Sequence, residues 1–274
     1  MSFQDSPAWW GGHSRSDNRP TLLDLVRNNT LDLTLASLLW LMVEKKASIV
    51  AAAGPQLAGK TTLLSAVLDF MPPAYEDVLT RGSREDFSFL DHMEPSTTYI
   101  LVPELSDHTP AYLWGDKVRA LFDALDRGYS MVATIHADTP EQVLDMLSGS
   151  PVLVPGHLLH HVDFVANLSL SYGARGIVRR VGLLSAVLPG DRAGQVAPDI
   201  VSLARWRPET DTFALETSDS ALQTLGDSLR MSPAEIEPDL AERGTALRSW
   251  LDAAPTDAEL RLAVAEYYRS RGQG

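Results

Sequence analysis

The chain has 274 residues, 45% of them hydrophobic and 22% charged, and contains no cysteine. That is globular composition, long enough for one large domain or a domain with an appendage. It excludes collagen-like repeats, wholesale disorder, a disulfide framework, a thiolate metal site and a cysteine nucleophile. With 23 Lys and Arg against 36 Asp and Glu, the formal charge of −13 argues against nucleic acid as a partner, since a phosphate backbone needs clustered basic residues.

Residues 1–20 read as a flexible tail rich in Gly, Ser, Asp and Pro. A helical lead-in follows over 21–46, with one helix at 21–28 capped by Thr21 and a second ending near Lys46. The most apolar stretch, 33–43, is about half the ~20 residues that a membrane span needs. With no apolar targeting segment either, the expected location is the cytoplasm. Residues 47–53 (ASIVAAA) form a continuous apolar run, the signature of a strand buried on both faces. An apolar helix at 61–70 is stopped by Pro72 and Pro73.

Strand-like runs follow at 76–80, 97–102 and 130–135, with an amphipathic helix at 115–127 and another helix at 140–147. Two further strands, 162–170 and 177–188, are joined by a turn containing Gly173 and Gly176. Such alternation predicts an α/β fold with a mainly parallel sheet over a core of residues 47–190. Residues 191–274 are expected to form a mostly helical segment packed on the core. That segment has a small β piece at 199–217 and helices at 219–229, 233–252 and 256–270. Trp250, Leu251, Leu260, Leu262 and Tyr267 are expected to form its apolar face.

Four of the basic residues are lysine and Asp exceeds Glu. A high-salt cytoplasm favours such a surface, and a GC-rich genome also favours Arg over Lys.

The most informative segment is Gly54-Pro55-Gln56-Leu57-Ala58-Gly59-Lys60-Thr61, which fits G-x-x-x-x-G-K-[ST] and is followed by Thr62. A chain of this length meets the pattern by chance about 1% of the time at ordinary residue usage. The motif also lies between a predicted buried strand and a predicted helix, as phosphate binding by backbone N–H groups and a helix N-terminus requires. Lys60 is expected to reach the β- and γ-phosphates, and the Thr61 hydroxyl to ligate Mg²⁺. Such a loop needs an acid on a neighbouring strand. Glu104, at the end of the 97–102 strand, is the candidate, with Asp107 as runner-up. His136, at the end of the 130–135 strand, is the candidate to sense the γ-phosphate or position water.

The loop at 54–61, the Glu104 strand and Thr134-Ile135-His136-Ala137-Asp138 together resemble the type II/type IV secretion ATPases, which power pili, secretion machines and the archaellum. Thr21 to Val26, Thr30-Leu31-Asp32 and Pro72-Pro73 are similar too. Arg179-Arg180-Val181, Trp206 with Thr212-Phe213, residues 231–236, Arg243 and Tyr267-Tyr268 look like the C-terminal portion of the archaeal branch. The resemblance implies a RecA-like P-loop core and a hexameric ring that binds and hydrolyses ATP with Mg²⁺. Glu104 would be its catalytic glutamate and His136 its histidine-box residue. It also implies association with a secretion or pilus machine, reaching the membrane only through a platform protein.

The sequence departs from that pattern at several points. With some 20–45 residues before the expected core, the family's N-terminal domain is expected to be absent. Leu57 replaces a glycine, so its Cβ is expected to crowd the phosphate path or to force φ negative. Pro103 replaces the glycine before the glutamate, and Leu105-Ser106-Asp107-His108 lacks the arginine that follows it. Lys60 and Glu104 are only 44 positions apart, with Glu85 and Asp86 as the remnant of an acidic box. Three readings follow: an ATPase, a non-catalytic nucleotide-binding partner of a full-length secretion ATPase, or an unrelated small P-loop kinase or GTPase. The last lacks a guanine-recognition motif.

Overall fold

The computed structural model describes residues 19–173, 176–192 and 195–272; the tail expected at 1–20 lies almost wholly outside them. The lead-in forms α1 (Leu22–Arg27) and α2 (Leu33–Glu44), with Thr21 and Asp32 as N-caps. β1 (Ile49–Ala52) then leads to α3 (Lys60–Leu68), β2 (Glu76–Leu79) and β3 (Thr98–Val102). Next come α4 (Asp116–Asp126), β4 (Ser130–Ile135), α5 (Pro140–Ser148), β5 (Phe164–Gly173) and β6 (Gly176–Leu188). β7 (Asp191–Arg192) and β8 (Gln195–Val196) form a short ribbon of their own. β9 (Asp199–Arg207), β10 (Thr212–Leu215), α6 (Asp219–Leu229), α7 (Pro233–Ala253) and α8 (Asp257–Ser270) complete the described chain.

The main sheet has eight strands in the order β10-β9-β6-β5-β1-β4-β3-β2. β5, β1, β4, β3 and β2 run parallel, and β6, β9 and β10 add an antiparallel wing. The β piece expected at 199–217 is therefore part of the main sheet, because β9 pairs along β6 rather than folding on itself.

Both faces of the sheet are covered, which is why β1 reads as an unbroken apolar run. Ile49 and Ala51 face α1–α3 and the C-terminal helices, whereas Val50 and Ala52 face α4 and α5. Helix α2 is buried along nearly its whole length. It lies between the sheet and α7, so a helix apolar all round is used here as a central layer.

The C-terminal helices are locked on by an aromatic and ionic cluster. The Trp40 indole donates to the Tyr268 hydroxyl (2.8 Å), which donates to the Phe70 carbonyl (2.7 Å). Fully buried Arg243 bonds to Glu44 of α2 and Asp239 of α7, and Asp239 also accepts from Arg271 (2.6 Å). Trp250, Leu251, Leu260 and Tyr267 pack as expected, but Leu262 is 68% exposed. Two positions beyond Leu260 on a helix, it turns about 200° away from the core. Among the described residues no helix is long and apolar enough to cross a membrane.

Candidate functional site

The parallel strands β1, β4 and β3 end at one edge of the sheet, where open α/β sheets bind ligands. The motif loop leaves β1 there and runs into Lys60, the first residue of α3. Two left-handed residues shape the loop, Leu57 at φ 61° and Gly59 at φ 97°. Leu57 thus keeps the left-handed backbone despite its Cβ, contrary to the expectation of negative φ; its side chain is 81% exposed, so the Cβ has room outside the loop. A Cβ on Gly54 would lie 2.1 Å from Asp138 Oδ1, so a side chain there would require Asp138 to move.

An open cleft of about 1230 Å³ lies over the loop. Gln56, Leu57, Ala58, Gly59, Lys60, Thr61, Thr62, Glu104 and His136, all expected from the sequence, line it. Gly54 and Pro55 do not line it, although the Gly54 carbonyl contacts the His136 ring.

The Lys60, His136 and Glu104 side chains converge. Lys60 Nζ lies 3.3 Å from His136 Nδ1 and 3.4 Å from Nε2, and His136 Nε2 lies 3.5 Å from Glu104 Oε2. With Nδ1–H donated to the Gly54 carbonyl (3.1 Å), Nε2 faces both neighbours. In that tautomer Nε2 is the ring nitrogen that can accept from the ammonium.

Glu104 sits just past β3 in a well-braced segment. The Leu105 N–H bonds to the Thr134 carbonyl (2.8 Å), the Leu113 N–H to the Glu104 carbonyl (3.0 Å) and the Thr134 hydroxyl to the Pro103 carbonyl (2.5 Å). The Ser106 hydroxyl donates to Glu104 Oε1 (3.1 Å). The strand carrying Glu104 is not the immediate neighbour of the loop strand, as the sequence suggested. β4 intervenes, and its His136 spans the gap between loop and carboxylate. Asp107 is exposed and does not line the cleft. Glu85 and Asp86 also lie away from it. Glu85 accepts the backbone N–H groups of Arg81 (2.7 Å), Asp86 (3.1 Å) and Phe87 (2.7 Å), so it folds its own loop.

Burial lowers the Lys60 pKa, with the charge of Glu104 opposing. Among the described residues Lys60 has no carboxylate partner within ion-pair reach. A buried cation facing an open cleft, with only an imidazole beside it, fits a phosphate-bearing ligand. Among the described residues no group of three or more His, Cys, Asp or Glu could hold a metal ion. One hydroxyl suffices for a magnesium ion carried in on phosphates, and Thr61 lines the cleft.

Three further lining residues were not foreseen as part of the site: Tyr112, Arg179 and Arg180. The arginine pair is visible in the sequence, but only the β5–β6 hairpin brings it over the loop. Arg180 makes a two-pronged pair with Asp211, Nε to Oδ1 and Nη2 to Oδ2 both at 2.7 Å, and the Trp206 indole also donates to Asp211 (2.9 Å). The Arg180 bonds, aided by Trp206, hold the Asp211 carboxyl well below the usual carboxylate range. A carboxylate depressed in the folded state stabilises above its unfolded pKa of about 4 and loses that contribution as pH falls through the folded value. In thermal melts between pH ~7 and ~2, Asp211→Asn is expected to lower the midpoint at neutral pH and to flatten the acid-side decline. An unchanged decline would count against the pair.

No family model matches the chain. The uncharacterized protein MJ1287 of Methanocaldococcus jannaschii is 28% identical over 265 residues, covering 89% of this chain and 96% of that protein. The uncharacterized protein MJ0900 of the same organism is 25% identical over 185 residues, covering 59% of this chain and 32% of that protein. Among solved structures, the VirB11 ATPase of the Brucella suis type IV secretion system, in complex with sulphate, is similar at a TM-score of 0.41 and 16% identity, over 60% of this chain and 54% of that one. The ATPase DotB of Yersinia pseudotuberculosis is similar at a TM-score of 0.39 and 14% identity, over 88% of this chain and 62% of that one. For DotB of Legionella pneumophila the TM-score is 0.39 and the identity 14%, over 86% of this chain and 58% of that one. The chain thus spans less than two thirds of each of these three structures, and nearly the full length of MJ1287.

Proposed function

We propose that this protein binds ATP with Mg²⁺ and hydrolyses it, as an ATPase of the secretion and pilus-assembly type. The observation that carries this reading is the convergence of Lys60, His136 and Glu104 over a phosphate-binding loop, each within about 3.5 Å of the next. Loop amides and the N-terminus of α3 would cradle the phosphates, with Lys60 on the β- and γ-oxygens and the Thr61 hydroxyl toward the metal. Bound Mg²⁺ neutralises phosphate charge. Glu104 would orient the attacking water and take its proton. His136, bridging carboxylate and ammonium, would hold the two in register. The further parts of the proposal are a hexameric ring, a secretion or pilus machine as partner, a cytoplasmic location and the membrane reached through a platform protein. These rest on the resemblance of the motifs.

Glu104→Gln keeps the shape and removes the base, so phosphate release is expected to fall about 10²–10⁴-fold while Mg-ATP binding stays within a few-fold. Steady-state phosphate release and fluorescent-nucleotide titration read the two quantities. Wild-type protein that binds Mg-ATP without turning it over would instead favour a nucleotide-binding partner of a full-length ATPase. Protein that binds no nucleotide would overturn both readings.

A further inference from the structure

The two arginines of β6 are in different situations. Arg180 is buried and occupied by Asp211 and by the carbonyls of Asn28 (3.4 Å) and Arg179 (2.9 Å). Arg179 donates one hydrogen bond, from Nε to the Leu57 carbonyl (2.8 Å), and among the described residues it has no carboxylate partner. Its stem crosses the loop, since a Cβ on Gly59 would lie 3.3 Å from Arg179 Cδ. Both Nη groups remain without a protein acceptor among the described residues, on a side chain that lines the cleft beside Lys60.

From this geometry we infer that Arg179 is a phosphate-contacting residue of the nucleotide site, supplied by the chain's own β6. The inference rests on the nucleotide-binding reading above. Nε fastens the side chain to the loop, and the free guanidinium fork faces the cleft where phosphate oxygens would lie. Arginine suits this task because its planar fork keeps donors available after one is used. In a chain with a formal charge of −13, an arginine with no carboxylate partner among the described residues, beside a phosphate loop, also offsets the field that a polyanion must enter. The same bond fastens the carbonyl of Leu57, the residue whose backbone is left-handed at φ 61°.

Contact and mere support are separable. If Arg179 acts only by holding the Leu57 carbonyl, then a glycine at 57, which adopts φ near +60° without help, should restore what Arg179→Ala loses. The experiment is fluorescent Mg-ATP titration of wild type, Lys60→Ala, Arg179→Ala, Arg179→Lys, Leu57→Gly and the double variant Leu57→Gly with Arg179→Ala. Thermal midpoints without nucleotide check the fold of each. The expected result is about 10- to 100-fold weaker binding in Arg179→Ala. Arg179→Lys should keep part of the affinity, and the double variant should show no recovery. Unchanged affinity in Arg179→Ala, or recovery in the double variant, overturns the inference. If Arg179→Ala fails to fold, Arg179→Lys decides, with affinity equal to wild type counting against the contact. Wild type that binds no nucleotide overturns the nucleotide reading itself, a result distinct from failure at Arg179.

Discussion

Lys60→Ala is expected to abolish Mg-ATP binding at millimolar nucleotide while leaving the fold intact or slightly firmer. Lysine at the start of α3 is buried, and burial disfavours its charged form. Without a ligand that charge has, among the described residues, the His136 ring beside it and Glu104 beyond. Removing it therefore takes away an unfavourable buried charge in the free protein and the main cation in the complex. Several charge-assisted bonds to phosphate are lost at once, so affinity should fall by more than about 10²-fold. A thermal-shift assay reads both halves. At ligand near 100 times Kd, wild type gains about 2.7 kcal/mol, or roughly 5 °C for a chain of this size. The variant should gain nothing from nucleotide, and its midpoint without nucleotide should equal or exceed that of wild type. A variant whose nucleotide shift matches wild type would show that the loop does not bind phosphate through Lys60.

The second large effect lies far from the cleft. Arg243→Leu should destabilise the protein by about 3–5 kcal/mol, because it removes the buried cation that Glu44 and Asp239 share. Arg243 is fully buried, bonds to Glu44 and Asp239, and lies 4.7 Å above the Trp40 ring. Burial disfavours its guanidinium, and the Asp239 bond together with the Glu44 charge outweighs that and raises its pKa. Asp239 keeps Arg271 as a partner after the substitution, whereas buried Glu44 loses its Arg243 bond and keeps Lys45 at 4.0 Å. Adding Glu44→Gln to Arg243→Leu should therefore recover part of the loss. Urea unfolding measures both variants. A loss below about 1 kcal/mol for Arg243→Leu would mean the cluster contributes little, as most surface pairs do.

Much of the fold was legible because its elements announce themselves locally. The apolar run before Gly54 could only be a strand covered on both faces, and Ile49/Ala51 and Val50/Ala52 do divide between two cores. The helices at 219–229, 233–253 and 257–270 match their expected spans closely, since Ser232 and Thr256 form capping boxes that fix where α7 and α8 begin. Leu262 was misjudged because a list of apolar residues ignores the angular step of the helix.

For the site, the motif pointed to residues that do line the cleft, Gln56 to Thr62 among them, because the strand and helix that flank it are legible locally. The pattern also marked Glu104 and His136 as residues at strand ends. Which of them meet depends on the folded chain. Strand order is set by long-range pairing, so the sequence could not reveal that β4 stands between β1 and β3, or that His136 therefore bridges Lys60 and Glu104. Nor could it reveal that a hairpin more than a hundred residues downstream turns Arg179 onto the Leu57 carbonyl. Local pattern encodes what each residue can do. The sheet decides its neighbours, because pairing across it depends on the packing of the whole chain.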